Sequence, residues 1–162
     1  MLLKEVENRA KDKVGVIEEE RYRLLWLGPI INYDTGILNY FEEYGAVLVK
    51  SDVDAFYLAH LDPQNPFESL ARKYVGSNFF GVLERRLTLT RQLIKDYHIN
   101  GVVIYSHLGC RQYCGGQRVV QDMIKREFGI PILNLTGDLA DFRAYDAHDM
   151  RNRIDEFIEL LG

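Results

Sequence analysis

The two cysteines of the chain, Cys110 and Cys114, lie in one glycine-containing stretch, residues 106–116. The stretch follows a short, apolar and β-branched run at residues 101–105, which predicts a buried strand. After it, apolar residues recur at helical spacing from residue 119 to residue 128. A strand, a turn and a helix in this order would place both thiols at a helix N-terminus, where partial positive charge favours a thiolate. The chemistry that this arrangement predicts is metal binding or redox exchange.

Several familiar cysteine sites do not match this spacing. A zinc site needs about four ligands, whereas His107, Cys110 and Cys114 supply three at most. A nucleophilic cysteine of the phosphatase kind would need arginine at position 116, which is glycine. The glycines match neither a phosphate-binding loop nor the dinucleotide fingerprint, and a redox disulfide between the two cysteines has only weak support from their spacing. From the residues alone, the remaining option is one thiolate ligand of an iron–sulfur cluster whose other ligands lie elsewhere.

Two further sets of side chains have both a chemical and a structural interpretation. His107 follows the predicted strand and is either a ligand or proton donor, or a residue that caps the loop. Asp138 and Asp141 follow another predicted strand and form either a paired-carboxylate site or a turn bonded to backbone N–H groups and to Arg143. The sequence leaves these alternatives open and assigns no catalytic residue.

The composition restricts the class of protein. With 162 residues, the chain fits one domain with a sizeable core. Its net charge of -4 gives no basic surface for nucleic acid. No apolar run approaches the ~20 residues that cross a membrane, and the first residues do not resemble a signal peptide. We therefore expect a cytoplasmic protein that binds neither nucleic acid nor membranes and whose cysteines stay reduced.

Residues 1–20 are charged and helix-favouring, with few apolar positions. We interpret them as a connecting helix that follows something earlier in a longer sequence; the alternative is a surface helix of a complete domain. Residues 21–162 form a single predicted α/β domain, which we interpret as the second domain of a longer subunit.

Strand and helix patterns alternate along residues 21–162. The pattern predicts strands at 22–27, 46–49, 101–105 and 130–135, helices at 35–44, 67–74, 82–97, 116–128 and 150–161, an irregular segment at 51–65 with one turn at 56–58, and a break at 77–81. Such alternation indicates a small doubly wound, flavodoxin-like sheet of four parallel strands flanked by helices. Ligands of such sheets bind beyond the carboxyl ends of the strands, here the loops 28–34, 51–55, 106–116 and 136–145.

Motifs of one family recur in order through nearly the whole chain. They are Trp26-Leu27-Gly28-Pro29, the segment 40–47, Gly109-Cys110-Arg111-Gln112 with Gly116, the segment 128–133, Gly137-Asp138-Leu139-Ala140-Asp141-Phe142-Arg143, and the segment 151–159. Together they resemble the 2-hydroxyacyl-CoA dehydratase D-component family, which also includes benzoyl-CoA reductase subunits and double-cubane cluster proteins.

The resemblance implies a subunit of two related α/β domains, of which this chain looks like the C-terminal one. In that family, cysteines of both domains hold an oxygen-sensitive iron–sulfur cluster, here expected to be [4Fe-4S], beside an acyl-CoA site. Cys110 is the matching ligand position, and Cys114 has no assigned role. Because the other ligand cysteines would belong to the preceding domain, we expect the isolated chain to lack the cluster and to be inactive.

The residues around Cys110 follow from the same resemblance and from their place in the loops. We expect Ser106, His107, Cys114, Gly115 and Gly116 to surround the cluster, with the N–H groups of the two glycines facing its negative charge. Pro29 and Ile30 are candidates for the wall of the substrate pocket.

The chemistry implied is the one-electron reduction of an acyl-CoA thioester to a ketyl radical. An ATP-dependent activator protein supplies the electron, and a homologous second subunit completes the enzyme. A dehydratase then expels the 2-hydroxy group, whereas a benzoyl-CoA reductase or a double-cubane cluster reductase is the alternative. An alternative of another class is a flavodoxin-like module that binds a phosphate-bearing ligand at its helix N-termini, or a subunit-interaction domain.

Overall fold

The computed structural model describes residues 2–57, 60–77 and 80–162. Its strands are β1 (Tyr22–Leu27), β2 (Ala46–Ser51), β3 (Gly101–His107) and β4 (Ile132–Gly137). The helices in these ranges are α1 (Leu2–Asp12), α2 (Gly36–Tyr40), α3 (Asp52–Tyr57), α4 (Pro66–Gly76), α5 (Leu83–Asp96), α6 (Arg111–Cys114), α7 (Gln117–Glu127) and α8 (Ala147–Glu159).

The four strands form one parallel sheet in the order β2-β1-β3-β4. From β1, the chain first adds β2 on one side and later adds β3 and β4 on the other. The strand order therefore reverses between β1 and β3, and ligands of open α/β sheets bind at the carboxyl ends beside such a switch point.

The sheet is covered on both faces because each strand alternates between two apolar sets. In β1, Leu24 and Trp26 belong to one buried cluster, and Leu25 and Leu27 belong to the other. The first cluster includes residues of α2 and α8, and the second includes residues of α5 and α7. Burial on both faces is typical of parallel sheets, and it confirms the predicted α/β sheet flanked by helices.

The first helix is shorter than the connecting helix predicted over residues 1–20. It ends at Asp12 because Lys13 adopts a left-handed backbone conformation, with φ 56°. The Val14 N–H then donates to the Arg9 carbonyl at 2.8 Å, a bond of the kind that closes helix C-termini. All residues of α1 are described, and none of them is buried. Its role as a connector stays a prediction.

Two other predicted segments differ from the structure in extent. The helix predicted at 35–44 divides into α2 and a 3₁₀ turn, Phe41–Tyr44, which Gly45 ends with φ 74°. The segment 51–65 is not irregular throughout, because α3 begins directly after β2. Ser51 Oγ accepts the Val53 N–H at 3.2 Å, and a serine acceptor at this position stabilises a helix start.

The strands that lead to the candidate loops are also shifted from their predicted bounds. β3 continues to His107, and β4 begins at Ile132 and continues to Gly137. Pro131 has no N–H to donate to the sheet, although its carbonyl accepts the Val102 N–H at 3.0 Å. Because both strands extend further than predicted at their carboxyl ends, Ser106 and His107 lie in the last two paired positions of β3.

Some predicted features involve residues outside the described ranges. These are Leu58, in the predicted turn at 56–58, and residues 78–79, in the predicted break at 77–81. The other two residues of that turn, 56 and 57, belong to α3. Each helix in the described ranges is too short or too polar to cross a bilayer.

Candidate functional site

Both cysteines lie in the connection between β3 and α7, residues 107–116, which we call the thiol turn. Cys110 directly precedes α6, and Cys114 is the last residue of that helix. The His107 carbonyl accepts the Cys110 N–H at 3.0 Å and the Cys114 thiol at 3.5 Å. Both cysteines are free and partly exposed. The thiol turn therefore holds two reduced thiols at the carboxyl end of β3.

The two thiols differ in their relation to the helices. The four-residue helix α6 separates them, so Cys114 lies at a helix C-terminus, where carbonyl groups rather than N–H groups lack partners. Burial raises the pKa of the Cys114 thiol, and so does the neighbouring Cys110, while the Arg86 charge acts in the opposite direction. The predicted thiolate at a helix N-terminus is therefore wrong for Cys114.

Tyr113, between the two cysteines, fixes the thiol turn to the protein interior. Its side chain is 2% exposed, and its hydroxyl donates to Asp52 Oδ2 at 2.7 Å. The Arg86 guanidinium lies 3.7 Å from the centroid of the Tyr113 ring, and its Nη1 donates to the Tyr113 carbonyl at 2.7 Å. Burial and the Asp52 carboxylate raise the pKa of Tyr113, so its hydroxyl stays protonated and donates.

Asp52 connects this anchor to the end of β1. Its side chain is buried, and Oδ1 accepts the Gly28 N–H at 3.0 Å. Gly28 has a φ of 116°, and a Cβ there would lie 2.4 Å from the Tyr105 carbonyl oxygen. Only glycine fits this close approach. The ends of β1 and β3 and the start of α3 therefore meet at the switch point of the sheet.

The two polar residues at the end of β3 are each paired with another element. Ser106 Oγ donates to Gln117 Oε1 at 2.6 Å. His107 Nδ1 lies 3.7 Å from Asp138 Oδ2, which is beyond hydrogen-bond distance, and it has no hydrogen-bond partner among the described residues. Ser106 thus joins β3 to the first residue of α7, and His107 faces the loop after β4.

Gly115 and Gly116 separate α6 from α7. Gly115 has helical dihedrals and its N–H donates to the Arg111 carbonyl at 3.0 Å. This N–H is therefore not available to a cluster, contrary to the prediction, because it continues the hydrogen bonding of α6. Gly116 precedes α7, and no side chain of the described residues caps that helix start. Both glycines line a cavity of about 260 Å³ together with Leu83, Arg86 and Gln112.

The two residues predicted for the substrate pocket lie after β1. The Pro29 carbonyl accepts the Trp26 indole N–H at 3.1 Å. Ile30, which is 38% exposed, lines a cavity of about 320 Å³ together with Leu48 and Lys50 of β2. Within the described ranges, this cavity shares no lining residue with the one beside Gly115 and Gly116.

Asp138 and Asp141 bond their own turn, residues 138–143, which we call the aspartate turn. Asp138 Oδ1 accepts the N–H groups of Ala140 and Asp141 at 2.8 and 2.9 Å. Asp141 accepts the Arg143 N–H at 3.0 Å and its guanidinium at 2.8 and 2.6 Å. These hydrogen bonds lower the pKa of both carboxyl groups. The structure thus favours the turn interpretation over a paired acid and base.

Three residues that organise the thiol turn are not found by sequence reasoning: Asp52, Arg86 and Tyr113. Each departs from its local pattern. Asp52 directly follows a short apolar strand, and Tyr113 is an aromatic residue in a polar, glycine-rich loop. Arg86 lies among the buried residues of α5. Of these departures, the position of Arg86 is the clearest signal in the sequence, because a charged residue on the apolar face of a helix is rare.

The described residues do not form a complete metal site. No group of three or more His, Cys, Asp or Glu side chains among them is arranged to hold a metal ion. The thiol turn supplies at most two thiolates, at Cys110 and Cys114. Its donor set fits a contribution to a shared iron–sulfur site, since clusters are held by several cysteines.

Comparison with known proteins gives consistent matches. Residues 1–161 match the family model described as 2-hydroxyglutaryl-CoA dehydratase, D-component. The chain is 27% identical over 175 residues, covering 99% of the chain and 40% of the relative, to a benzoyl-CoA reductase subunit of Thauera aromatica. It is 24% identical over 97 residues, covering 60% of the chain and 20% of the relative, to (R)-2-hydroxyglutaryl-CoA dehydratase, subunit alpha, of Acidaminococcus fermentans. The chain thus spans less than half the length of these curated relatives.

Proposed function

We propose that the chain is the C-terminal domain of an iron–sulfur subunit in a cytoplasmic acyl-CoA dehydratase or reductase. The reason is that the chain belongs to the 2-hydroxyglutaryl-CoA dehydratase D-component family. In this proposal, Cys110 supplies one thiolate to a [4Fe-4S] cluster, and a preceding domain supplies the other ligands. The observation that carries the proposal is the family match over nearly the whole chain, with a free and partly exposed Cys110 at the carboxyl end of β3.

The hydrogen bonds of the thiol turn support Cys110 rather than Cys114 as the ligand. A cysteine ligand binds as the thiolate. The Cys114 thiol lies 3.5 Å from the His107 carbonyl, to which it donates, and this bond requires the S–H proton. Cys110 uses its backbone N–H, not its sulfur, to bond the same carbonyl. Its sulfur therefore can bind iron without breaking that contact.

The residues of this chain hold and position the sulfur ligand. When bound, the cluster supplies a single electron to the acyl-CoA thioester, received from an ATP-dependent activator, and a homologous second subunit completes the enzyme. Tyr113 fixes the turn through Asp52 and Arg86, which limits how far the ligand can move. Pro29 and Ile30 stay the proposed wall of the substrate pocket.

The ligand assignment is tested by comparing Cys110→Ser with Cys114→Ser in the complete complex, purified without oxygen. We expect Cys110→Ser to abolish the visible absorption band and the paramagnetic resonance signal of the cluster, because one thiolate is lost. Cys114→Ser is the matched control and should keep both signals. Equal cluster content in the two variants would contradict the assignment of Cys110.

A reductase is the second candidate function. The reductase relative aligns with 99% of the chain, whereas the dehydratase relative aligns with 60%. Incubation of the loaded complex, its activator and ATP with a 2-hydroxyacyl-CoA or with benzoyl-CoA separates the two. Loss of water from the first substrate indicates a dehydratase, and reduction of the aromatic ring of the second indicates a reductase.

A further inference from the structure

Arg86 brings a positive charge into the interior without an ion-pair partner among the described residues. Its side chain is 4% exposed, and none of the ion pairs within the described ranges involves it. Nη1 donates to the Tyr113 carbonyl, whereas Nε and Nη2 have no hydrogen-bond partner in these ranges. Burial of a charge is costly unless the charge is paired, and the aromatic ring of Tyr113 offsets only part of this cost.

Two other buried groups, one in α5 and one in α7, also have unused hydrogen-bonding atoms. Thr90 lies one turn after Arg86 in α5, is 1% exposed, and has no partner for Oγ1 among the described residues. Gln117 begins α7 and is 8% exposed; its Oε1 accepts from Ser106, but its Nε2 has no partner there. Such groups in a native interior call for a bound water, ion or ligand.

The start of α7 adds a second, independent feature that favours an anion. The helix is 11 residues long and no described side chain caps its N-terminus, so its first N–H groups and its dipole are directed toward the preceding turn. The cavity of about 260 Å³ lies at this helix start and is lined by Arg86, Gly115 and Gly116. An uncapped helix N-terminus beside a buried guanidinium is suited to bind an oxyanion.

The cavity is bordered by side chains that can move. Leu83 and Gln112 line it and are exposed. A Cβ built at Gly116 would lie 2.6 Å from Leu83 Cδ1 and 3.7 Å from Arg86 Nη1, so this glycine keeps the space between the two side chains open.

We propose that Arg86 and the first turn of α7 form a binding pocket for one oxyanion, a carboxylate or phosphoryl group of a small molecule. The guanidinium supplies the charge and the donors that have no partner among the described residues, and the helix start supplies backbone N–H groups. The pocket does not depend on a cluster at Cys110, because these contacts include no metal.

The proposal is tested by nuclear magnetic resonance on the full chain, titrated with inorganic phosphate or with acetate at constant pH and ionic strength. We expect a saturable shift of the Arg86 Nε–H signal and of the backbone amide signals of the first turn of α7. Saturation by phosphate alone identifies a phosphoryl site, and saturation by acetate alone identifies a carboxylate site. Shifts that stay linear with both anions would overturn the proposal.

Variants locate the binding. Arg86→Gln should weaken it about tenfold or more, since charge-assisted hydrogen bonds are lost. Arg85→Gln is the matched control, because this exposed neighbour bonds the Val75 carbonyl instead; it should bind as the unaltered chain does. Gly116→Ala narrows the cavity with Arg86 in place and should also weaken binding, which keeps the test valid if Arg86→Gln fails to fold. Equal weakening by Arg85→Gln, or unchanged binding in Gly116→Ala, contradicts the proposal.

Discussion

The thiol turn and the aspartate turn follow adjacent strands of the sheet but are held in different ways. In the aspartate turn, the side chain of Asp138 bonds N–H groups two and three residues away. In the thiol turn, Tyr113 bonds Asp52 and Arg86, which are 61 and 27 residues away. The carboxylates of the first turn bond mainly groups within the turn, although the Asp138 carbonyl also accepts the hydroxyls of Tyr33 and Tyr105. The side chain that holds the second turn bonds distant parts of the assembled fold.

This difference determines which substitutions can displace each turn. A substitution far from the cysteines can move the thiol turn if it alters Gly28, Asp52 or Arg86. The aspartate turn should respond most to changes within its own six positions, 138–143, and less to loss of the Tyr33 or Tyr105 hydroxyl, which donate to the Asp138 carbonyl. The following predictions test this contrast with two measurements, the free energy of unfolding in urea and the rate at which a thiol reagent labels the cysteines.

The largest effect is expected for Gly28→Ala. The new Cβ would lie 2.4 Å from the Tyr105 carbonyl oxygen, at a φ of 116°. We expect a loss of about 3 kcal/mol in the free energy of unfolding, from the disfavoured dihedral and the overpacking together. Thiol labelling should become faster, since the Gly28 N–H anchors Asp52. Gly129→Ala is the control, because Gly129 has φ 66° but no atom of the described residues within 4 Å of its Cβ position. An equal loss in both variants would show that the close approach at Gly28 is unimportant.

A smaller effect is expected for Tyr113→Phe. This change removes the hydroxyl that donates to the buried Asp52 Oδ2, and it should cost about 2 kcal/mol because a buried acceptor loses its partner. The labelling of Cys110 and Cys114 should be faster. Tyr145→Phe removes a hydroxyl that bonds Asp34 at 2.5 Å, and it should leave the labelling rate unchanged. If both variants label at the rate of the unaltered chain, Tyr113 does not hold the thiol turn.

The smallest effect is expected for Asp138→Asn, and it depends on pH. Backbone hydrogen bonds lower the pKa of Asp138 from its ordinary 3.8. Its contribution to stability is therefore fully present above that value and is lost as the pH falls through the folded pKa. The unaltered chain should be slightly more stable than the variant near neutral pH, and the difference should disappear in strong acid. A difference that persists in acid would contradict this role of the ionised Asp138 carboxylate.

The same contrast explains what the sequence could predict. The turn is one of two interpretations of Asp138 and Asp141, and the structure favours it, because their carboxylate hydrogen bonds depend on side-chain types within a few positions. The parallel sheet is confirmed, since apolar runs alternate with helical periodicity. The anchor of Tyr113 could not be predicted, because single-sequence patterns do not indicate which distant residues meet. The short helix α6 is not predicted either, because four residues are too few for a periodic signal.

Cys110 could be predicted from the sequence only in part. Its location after β3 follows from the sequence, and the structure agrees. Its role as a cluster ligand rests on the family resemblance and stays a proposal. The prediction that the Gly115 N–H faces a cluster fails, because a glycine in the sequence does not show that the chain stays helical through this residue.

The order of the strands has a consequence for synthesis of the chain. β1 lies between β2 and β3, and the Arg23 N–H donates to Asn100 Oδ1, 77 residues later. A nascent chain on the ribosome can pair β1 with β2 early, but the other edge of β1 stays open until β3 has emerged. Unpaired apolar strand edges recruit other chains and aggregate. We therefore expect fragments that end before β3 to require chaperones and to fail to fold alone.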